Sequence, residues 1–256
     1  MYKWRVCPIQ GRQLKDVREE DLFEDFRICN TYRGGGGYDK FPIIAEKRFK
    51  GQHHKDGGVY IGNWALQFVV QLYGCHLDCP YCYVTRDGIW GKYNEYTTLE
   101  LIEAFARCYV EKARVGVFHL MGGSPALYIK HWHEIINEFR NLALFHSDLL
   151  LTEKFYTDRD LESIVSDNAL YAVNIKGVTI EDYYKNTGRI LNDHMFWHNL
   201  RRLQSYGVNY YITFTNPDKE NLDKFRELLQ EEIGEHCLDD SFVIDLVQYE
   251  ALTNEN

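Results

Sequence analysis

The feature that most constrains the fold is a regular alternation of strand-like and helix-like segments that begins near residue 64. Short apolar runs rich in β-branched and aromatic residues, typical of buried strands, are separated by segments whose apolar residues recur at helical spacing. Six strands are predicted, over residues 64–73, 115–121, 148–152, 170–176, 208–215 and 242–247. Strands that alternate with helices form right-handed crossovers and a parallel sheet. Because six such units are too few to close an eight-stranded barrel, the sequence predicts an open α/β fold.

Residues 1–60 lack this alternation, and we treat them as an N-terminal extension packed on a core of residues 61–256. Apolar residues at helical spacing predict a short amphipathic helix over residues 16–29. The four glycines of residues 34–37 predict a flexible linker or a substrate-side loop. A phosphate-binding loop is disfavoured, because no strand precedes them and no Gly-Lys-Ser/Thr follows them. Since the last helix of the core is short or absent, the extension is expected to cover the sheet edge at strand six.

The first predicted strand runs into a loop with Cys75, Cys79 and Cys82 at the spacing C-x3-C-x2-C, and Tyr81 precedes the last cysteine. Three thiolates from one short turn can hold an iron–sulfur cluster, which usually takes four cysteines. The missing ligand would leave one iron open to a substrate or cosubstrate. A zinc site is the alternative, with His76 or a distant residue as the fourth ligand. His76 suits this role poorly, because it directly follows Cys75 and would have to fold back on it.

The cysteine count and the charge indicate the surroundings in which the chain works. The seven cysteines form an odd number with three in one loop, which argues against a disulfide framework. No signal peptide and no apolar run of about 18 residues is visible, so the sequence predicts a cytoplasmic protein without a membrane span. Cys108 and Cys237 are expected to be buried free cysteines. The net charge of −9 disfavours a general nucleic-acid binder, although residues 47–55, within the polar and basic segment 47–58, could form a local basic patch.

Polar residues and glycines collect where the predicted strands end. In parallel α/β sheets, ligands bind beyond the carboxyl ends of the strands. Gly122, Gly123 and Ser124 follow the second strand and form a bend that a ligand can approach closely. Further candidates at the strand ends and after the cysteine loop are Glu153, Asn174, Lys176, Thr213 and Tyr83.

The cysteine loop, the aromatic before its third cysteine and the ordered strand-end motifs resemble the radical S-adenosylmethionine (radical SAM) superfamily. The resemblance implies an open six-stranded (β/α)6 partial TIM barrel with a [4Fe–4S] cluster on Cys75, Cys79 and Cys82. It also implies that S-adenosylmethionine (SAM) binds the open iron. In that family the cluster cleaves SAM reductively to methionine and a 5′-deoxyadenosyl radical, and this radical abstracts hydrogen from a substrate.

Two further motifs are similar to the family with substitutions. The turn at residues 122–125 is similar to the family's G-G-E-P motif, whose backbone holds the SAM amino group, with Ser124 in the usual glutamate position. Asn174 and Lys176 lie in a stretch similar to the D-x-K-G motif of the glycyl-radical-enzyme activating branch, where the lysine offers a charge to the SAM carboxylate. Tyr83 is expected to flank the adenine. The resemblance places the cofactor on Tyr81, Tyr83, Gly122, Gly123, Ser124, Glu153, Asn174, Lys176 and Thr213.

The resemblance implies an enzyme that abstracts hydrogen from a protein or peptide, as in the activating branch, with electrons from a flavodoxin or ferredoxin. Modification of a nucleoside, an RNA or a small molecule is a second hypothesis, which the acidic balance disfavours for large RNA. A third hypothesis is a non-catalytic iron–sulfur electron-transfer module. Such a module needs no SAM pocket, so it leaves the strand-end motifs unexplained.

Overall fold

The structure is a computed structural model that describes residues 2–9, 22–30, 66–82, 84–112, 115–140, 142–217, 219–238 and 244–247. Its centre is a sheet with the strand order β10-β9-β8-β7-β6-β4-β3-β2, and β1 and β5 form a separate antiparallel pair. The strands are β1 (Trp4–Val6), β2 (Leu22–Phe23), β3 (Phe26–Asn30), β4 (Leu66–Gln71), β5 (Asn94–Tyr96), β6 (Val115–Met121), β7 (Leu144–Leu149), β8 (Ala169–Ile175), β9 (Tyr210–Thr215) and β10 (Ile244–Val247).

Most of the large sheet is parallel. Strands β4, β6, β7, β8, β9 and β10 run in the same direction, each hydrogen-bonded to the next in that order. The predicted α/β class with a mostly parallel sheet is therefore confirmed. The described sheet is larger than six strands, because β3 and β2 are added antiparallel at the edge formed by β4. A barrel built from six strands stays a prediction.

The predicted position of the third strand, residues 148–152, is wrong. Strand β7 spans Leu144–Leu149, so the apolar residues that follow it lie beyond the strand end. His146 and Ser147 are buried inside β7. Where both faces of a strand are covered, alternation of polar and apolar residues no longer marks the strand, and these two polar residues conceal it from pattern reasoning.

The predicted helix over residues 16–29 is wrong in its described part, where the chain forms β2 and β3. Phe26 and Ile28 alternate along β3 as buried residues, which is the period of a strand. Phe26 packs on Phe68 of β4 with 4.5 Å between the ring centroids. The hairpin therefore covers the edge at β4, whereas the extension was expected at the opposite edge, strand six.

The first described residues also join the core. Strand β1 pairs with β5, and the indole N–H of Trp4 donates to the Thr98 hydroxyl at 3.0 Å. The glycine loop, the basic segment at residues 47–58 and the boundary between residues 60 and 61 lie outside the described residues, so all three stay predictions. Cys108 is buried as expected, whereas Cys237 is only half-buried.

Helices pack their apolar faces on one side of the sheet and form the main core there. They are α1 (Arg86–Trp90), α2 (Thr98–Glu111), α3 (Trp132–Glu138), α4 (Asp158–Glu162), α5 (Ile180–Thr187), α6 (Asp193–Ser205) and α7 (Lys219–Ile233), with 3-10 helices at Pro125–His131 and Gly234–Leu238. The Thr97 hydroxyl and the Glu100 side chain cap α2 reciprocally. Within the described ranges, no helix is both long enough and apolar enough to cross a membrane.

A tight glycine turn follows β6 and touches the chain that leaves β4. Gly123 has a φ of +56°, and a Cβ atom at this position would lie 2.4 Å from the carbonyl oxygens of both Leu72 and Gly74. The Ser124 N–H donates to the Gly74 carbonyl at 2.6 Å. Glycine therefore allows the ends of two neighbouring strands to approach more closely than any other residue would permit.

Replacing Gly123 by Ala is expected to lower the free energy of unfolding by about 3 kcal/mol, because a left-handed backbone and an overpacked contact each cost about 1–2 kcal/mol. Gly207→Ala is the matched control, since Gly207 has a φ of +67° with nothing within 4 Å of the added Cβ atom. We expect the control to lose about 1 kcal/mol, the backbone cost alone. Urea unfolding measures both values, and equal losses would contradict the close approach.

Candidate functional site

The three loop cysteines follow β4 and share one site. Cys75, Cys79 and Cys82 are half-buried free thiols. Burial raises the pKa of Cys75 to about 12, and the neighbouring Cys79 and Cys82 add to this rise. Burial is also the main reason that the pKa values of Cys79 and Cys82 are raised. The Leu77 N–H donates to the Cys75 sulfur at 3.4 Å, and the Val84 N–H donates to Cys82.

The segment that follows α5 holds the cysteine loop in place. The Asp78 N–H donates to the Thr187 carbonyl at 2.8 Å. The Arg189 guanidinium pairs with the Asp78 carboxylate at 2.7 Å and donates to the His76 carbonyl at 2.8 Å. Leu191 packs beside the loop. Because all of these contacts are between protein groups, the protein itself fixes the conformation of the loop.

The donor set is compatible with an iron–sulfur cluster. In the part of the chain that the structure describes, no three His, Cys, Asp or Glu side chains are grouped so as to hold one metal ion. A zinc ion needs thiolates about 2.3 Å from one centre. A four-iron cluster is held by cysteine thiolates, which bind different irons and therefore need not converge on one point. Three half-buried thiols that influence one another electrostatically, on one short loop, suit such a cluster.

A buried carboxylate links the cysteine loop to the glycine turn. The Ser124 hydroxyl donates to the Glu153 carboxylate at 2.7 Å, and His76 Nδ1 contacts the same oxygen. The Glu153 side chain is only 5% exposed. Residue 124 has no carboxylate of its own, and the loop after β7 delivers one to the same turn.

The position of Glu153 is set by a buried side chain of α6. The Asn199 amide donates to the carbonyls of Leu151 and Lys154 at 2.8 and 2.7 Å. Its oxygen accepts the Tyr156 N–H at 3.0 Å. Three backbone groups on both sides of Glu153 are thereby satisfied, which fixes the loop that carries the carboxylate.

Lys176 extends from the end of β8 towards the cysteine loop. Its ammonium nitrogen lies 5.4 Å from the centroid of the Tyr81 ring, over the ring face. Its charge lowers the pKa of Cys79 and Cys82, against the larger effect of burial. The Tyr81 hydroxyl hydrogen-bonds to Cys79. A cation is therefore available beside the thiols, where it can pair with an anionic group of a ligand.

A short hydrogen-bonded chain of side chains crosses three strands below Lys176. The Thr213 hydroxyl donates to the Asn174 oxygen at 2.7 Å, and the Asn174 amide donates to the Asp148 carboxylate. Sequence reasoning missed Asp148 as a site residue, because the predicted third strand began at this position. Strand β7 ends one residue later, at Leu149, so Asp148 belongs to the carboxyl edge where ligands bind.

A second polar group on the same face was also missed. Gln67, His119, His146 and Tyr211 are all buried. His119 contacts Gln67 through Nδ1, the two histidine rings lie 4.2 Å apart between centroids, and the Tyr211 hydroxyl lies 3.2 Å from His146 Nε2. Burial lowers the pKa of His119 to about 3 and that of His146 well below its ordinary value, so both rings are neutral near pH 7. The sequence signal that could have indicated this group is His119, a polar residue inside the apolar second predicted strand.

The structure brings most of the predicted site residues to one edge of the sheet. These are Cys75, Cys79, Cys82, Tyr81, Gly122, Gly123, Ser124, Glu153, Asn174, Lys176 and Thr213. Tyr83 lies outside the described residues, and its place beside the adenine stays a prediction. The roles of these residues towards a cofactor also stay predictions.

Solved structures with the same fold include those of SuiB and TYW1. SuiB of Streptococcus suis is 12% identical with a TM-score of 0.56, over 75% of this chain and 41% of the SuiB chain. A second SuiB structure, bound to S-adenosylmethionine, matches with a TM-score of 0.54 and 12% identity, over 75% and 42% of the two chains. TYW1 with a lysine-pyruvate adduct is 15% identical with a TM-score of 0.52, over 82% of this chain and 74% of that one. The chain thus spans about two fifths of the length of SuiB.

A search of curated proteins found no match to the chain. The model of the Radical SAM superfamily matches residues 69–231, which is well over half of the chain and contains the three cysteines, the glycine turn and Lys176. The match is to the superfamily as a whole, so membership of the glycyl-radical activating branch stays a prediction. On this match, the protein belongs to the radical SAM superfamily.

Proposed function

We propose that the protein is a cytoplasmic radical SAM enzyme that uses a [4Fe–4S] cluster and SAM to abstract hydrogen from a protein or peptide. The observation that carries the proposal is the convergence of the three loop thiols, the glycine turn and Lys176 at one edge of the sheet. When bound, the cluster supplies the electron that cleaves SAM to methionine and a 5′-deoxyadenosyl radical. Binding, orientation and exclusion of water are the tasks of the residues of this chain.

The two charged groups at the methionine end of SAM have partners of opposite charge at this edge. Lys176 offers a point charge to the carboxylate. The carboxylate of Glu153 offers an acceptor to the ammonium group, because the contacts with Ser124 and His76 leave some of its lone pairs available. The left-handed turn at Gly123 exposes its backbone to the same ligand.

A small cluster of buried side chains packs against the cysteines of the loop. Leu77, Leu150 and Tyr183 form a buried cluster against Cys75 and Cys79. Such a wall limits the access of water to the thiols and to a ligand beside them. Exclusion of water from a site would protect a reactive intermediate formed there from side reactions with solvent.

A peptide substrate and an external electron donor complete the proposal. SuiB has the same fold and is described as bound to the precursor peptide SuiA, with 11% identity and a TM-score of 0.54, over 73% of this chain and 40% of that chain. This supports the capacity of the fold to present a peptide to the site. A flavodoxin or ferredoxin would supply the electron. The apolar residues Trp90 and Leu127, 47% and 45% exposed, lie beside Gly74 at the start of the cysteine loop and offer such a donor a contact surface.

Anaerobically reconstituted protein is expected to bind about four irons per chain. With dithionite and SAM it should release 5′-deoxyadenosine. Cys79→Ala should lose most of the iron and all of the release, because a cluster ligand is missing. Cys108→Ala is the control, since Cys108 is buried in α2 away from the loop, and it should keep both. Iron analysis and chromatography of the products measure the two quantities. If cluster-loaded wild-type protein binds no SAM, the proposal is wrong.

Glu153→Gln is expected to weaken SAM binding about tenfold, because a hydrogen bond to a charged group contributes about 1.5–3 kcal/mol and the amide retains part of it. Anaerobic titration calorimetry measures the affinity, and iron content should stay at the wild-type level. Glu227→Gln, on the exposed side of α7, is the control with the same chemical change. An unchanged SAM affinity in Glu153→Gln would remove Glu153 from the binding site.

A further inference from the structure

Asp148 is a carboxylate that the proposed chemistry does not use. Its residue is partly exposed on the face of the sheet opposite to the helical core. The carboxyl group itself lies deep among protein atoms, and this burial raises its pKa to about 6. At pH 8 the group is therefore ionised. A charge held in such a place costs free energy, and it needs partners of opposite charge.

The hydrogen-bonding partner given for this carboxylate in the described chain is uncharged. Asn174 donates one hydrogen bond, and Thr213 fixes the Asn174 amide by donating to its oxygen. The Thr213 and Asn174 side chains orient the carboxylate, but neither of them carries a charge. An ionised carboxylate accepts about four hydrogen bonds, so acceptor capacity remains after the bond from Asn174.

The layer beneath Asp148 also contributes no positive charge. His146 precedes Asp148 by two residues on the same face of β7, and His119 of the neighbouring strand β6 pairs with His146. Both rings stay neutral because they are completely enclosed. Among the described residues, this layer of the sheet is therefore polar and uncharged, and the cation that acts on Asp148 is Lys176.

Lys176 acts both on Asp148 and on the cysteine loop. Its ammonium attracts the Asp148 carboxylate electrostatically, and it lies over Tyr81 beside Cys79 and Cys82. In the proposed function the same ammonium binds the carboxylate of SAM. When SAM takes this partner, less of the positive charge of Lys176 is available to offset the negative charge of Asp148.

We propose that Asp148 binds a cationic group of the substrate, a primary amine or guanidinium such as a lysine or arginine side chain, and that SAM prepares this site by engaging Lys176. The inference rests on the proposed function, whose substrate it narrows to an amine-bearing peptide. SAM and a cationic substrate should bind with positive cooperativity, because each removes an electrostatic penalty from the other. An anionic substrate group is excluded, since it would meet the carboxylates of both Asp148 and SAM.

The first test measures SAM affinity, which needs no knowledge of the substrate. In cluster-loaded protein at pH 8, Asp148→Asn is expected to bind SAM about fivefold more tightly, because the charge that competes for Lys176 is gone. Asp148→Ala should act in the same direction. Asp223→Asn, an exposed position on α7, is the control and should match the wild type. An unchanged or weaker affinity in both Asp148 variants overturns the sharing of Lys176.

The second test uses two probes, N-acetyl-lysine amide and N-acetyl-norleucine amide, which differ in the charged amino group. In ligand-detected NMR titrations with SAM present, the lysine probe should bind at least tenfold more tightly than the norleucine probe. Asp148→Asn should abolish this preference, Asp223→Asn should retain it, and omission of SAM should reduce it.

The outcomes separate the two levels of the proposal. Wild-type protein that binds SAM and releases 5′-deoxyadenosine but shows no preference for the lysine probe overturns the role of Asp148 alone. A preference that survives in Asp148→Asn does the same. Cluster-loaded wild-type protein that binds no SAM overturns the proposed function and this inference together.

Discussion

The contact between the glycine turn after β6 and the chain leaving β4 is the constraint on which the site depends. The Ser124 N–H reaches the Gly74 carbonyl at 2.6 Å only because Gly123 has no side chain. This contact places the turn directly against the loop that carries the cysteines. Glu153 then joins the two elements from the end of β7. Three neighbouring strands thus deliver a thiol loop, an exposed backbone and a carboxylate to one point.

The sheet separates two kinds of packing. The outer face is closed by helices around a large aromatic and aliphatic core, which provides the stability of the domain through burial of apolar surface. The inner face carries Gln67, two histidines and Tyr211 in a buried row. The contacts of His119 with Gln67 and of His146 with Tyr211 provide partners within this row, since a buried polar group without a partner costs about 1–3 kcal/mol. The row lies one residue pair below Asp148 on the same face of β7.

Much of this arrangement could be predicted from the sequence. Local sequence patterns predict the apolar strands β4, β6, β8 and β9 and the capped helix α2. The rule that ligands bind at the carboxyl ends of parallel strands predicts that the cysteines, the glycine turn and Lys176 belong to one site. The position of strand β7 was not predicted correctly, because His146 and Ser147 interrupt its apolar run. For the same reason Asp148 was not predicted as a site residue. The hairpin of β2 and β3 was not predicted, because Leu22, Phe23 and Phe26 also recur at helical spacing. Pairing with β4 in the folded protein selects the strand conformation.

In the proposed enzyme, SAM binds to the iron that the three cysteines leave open. The most direct measurement is electron–nuclear double resonance on the reduced cluster with SAM labelled by 15N at the amino group and 17O at the carboxylate. We expect both labels to show hyperfine coupling to the cluster, as direct ligands of one iron would. Bound SAM without coupling to either label would contradict the account.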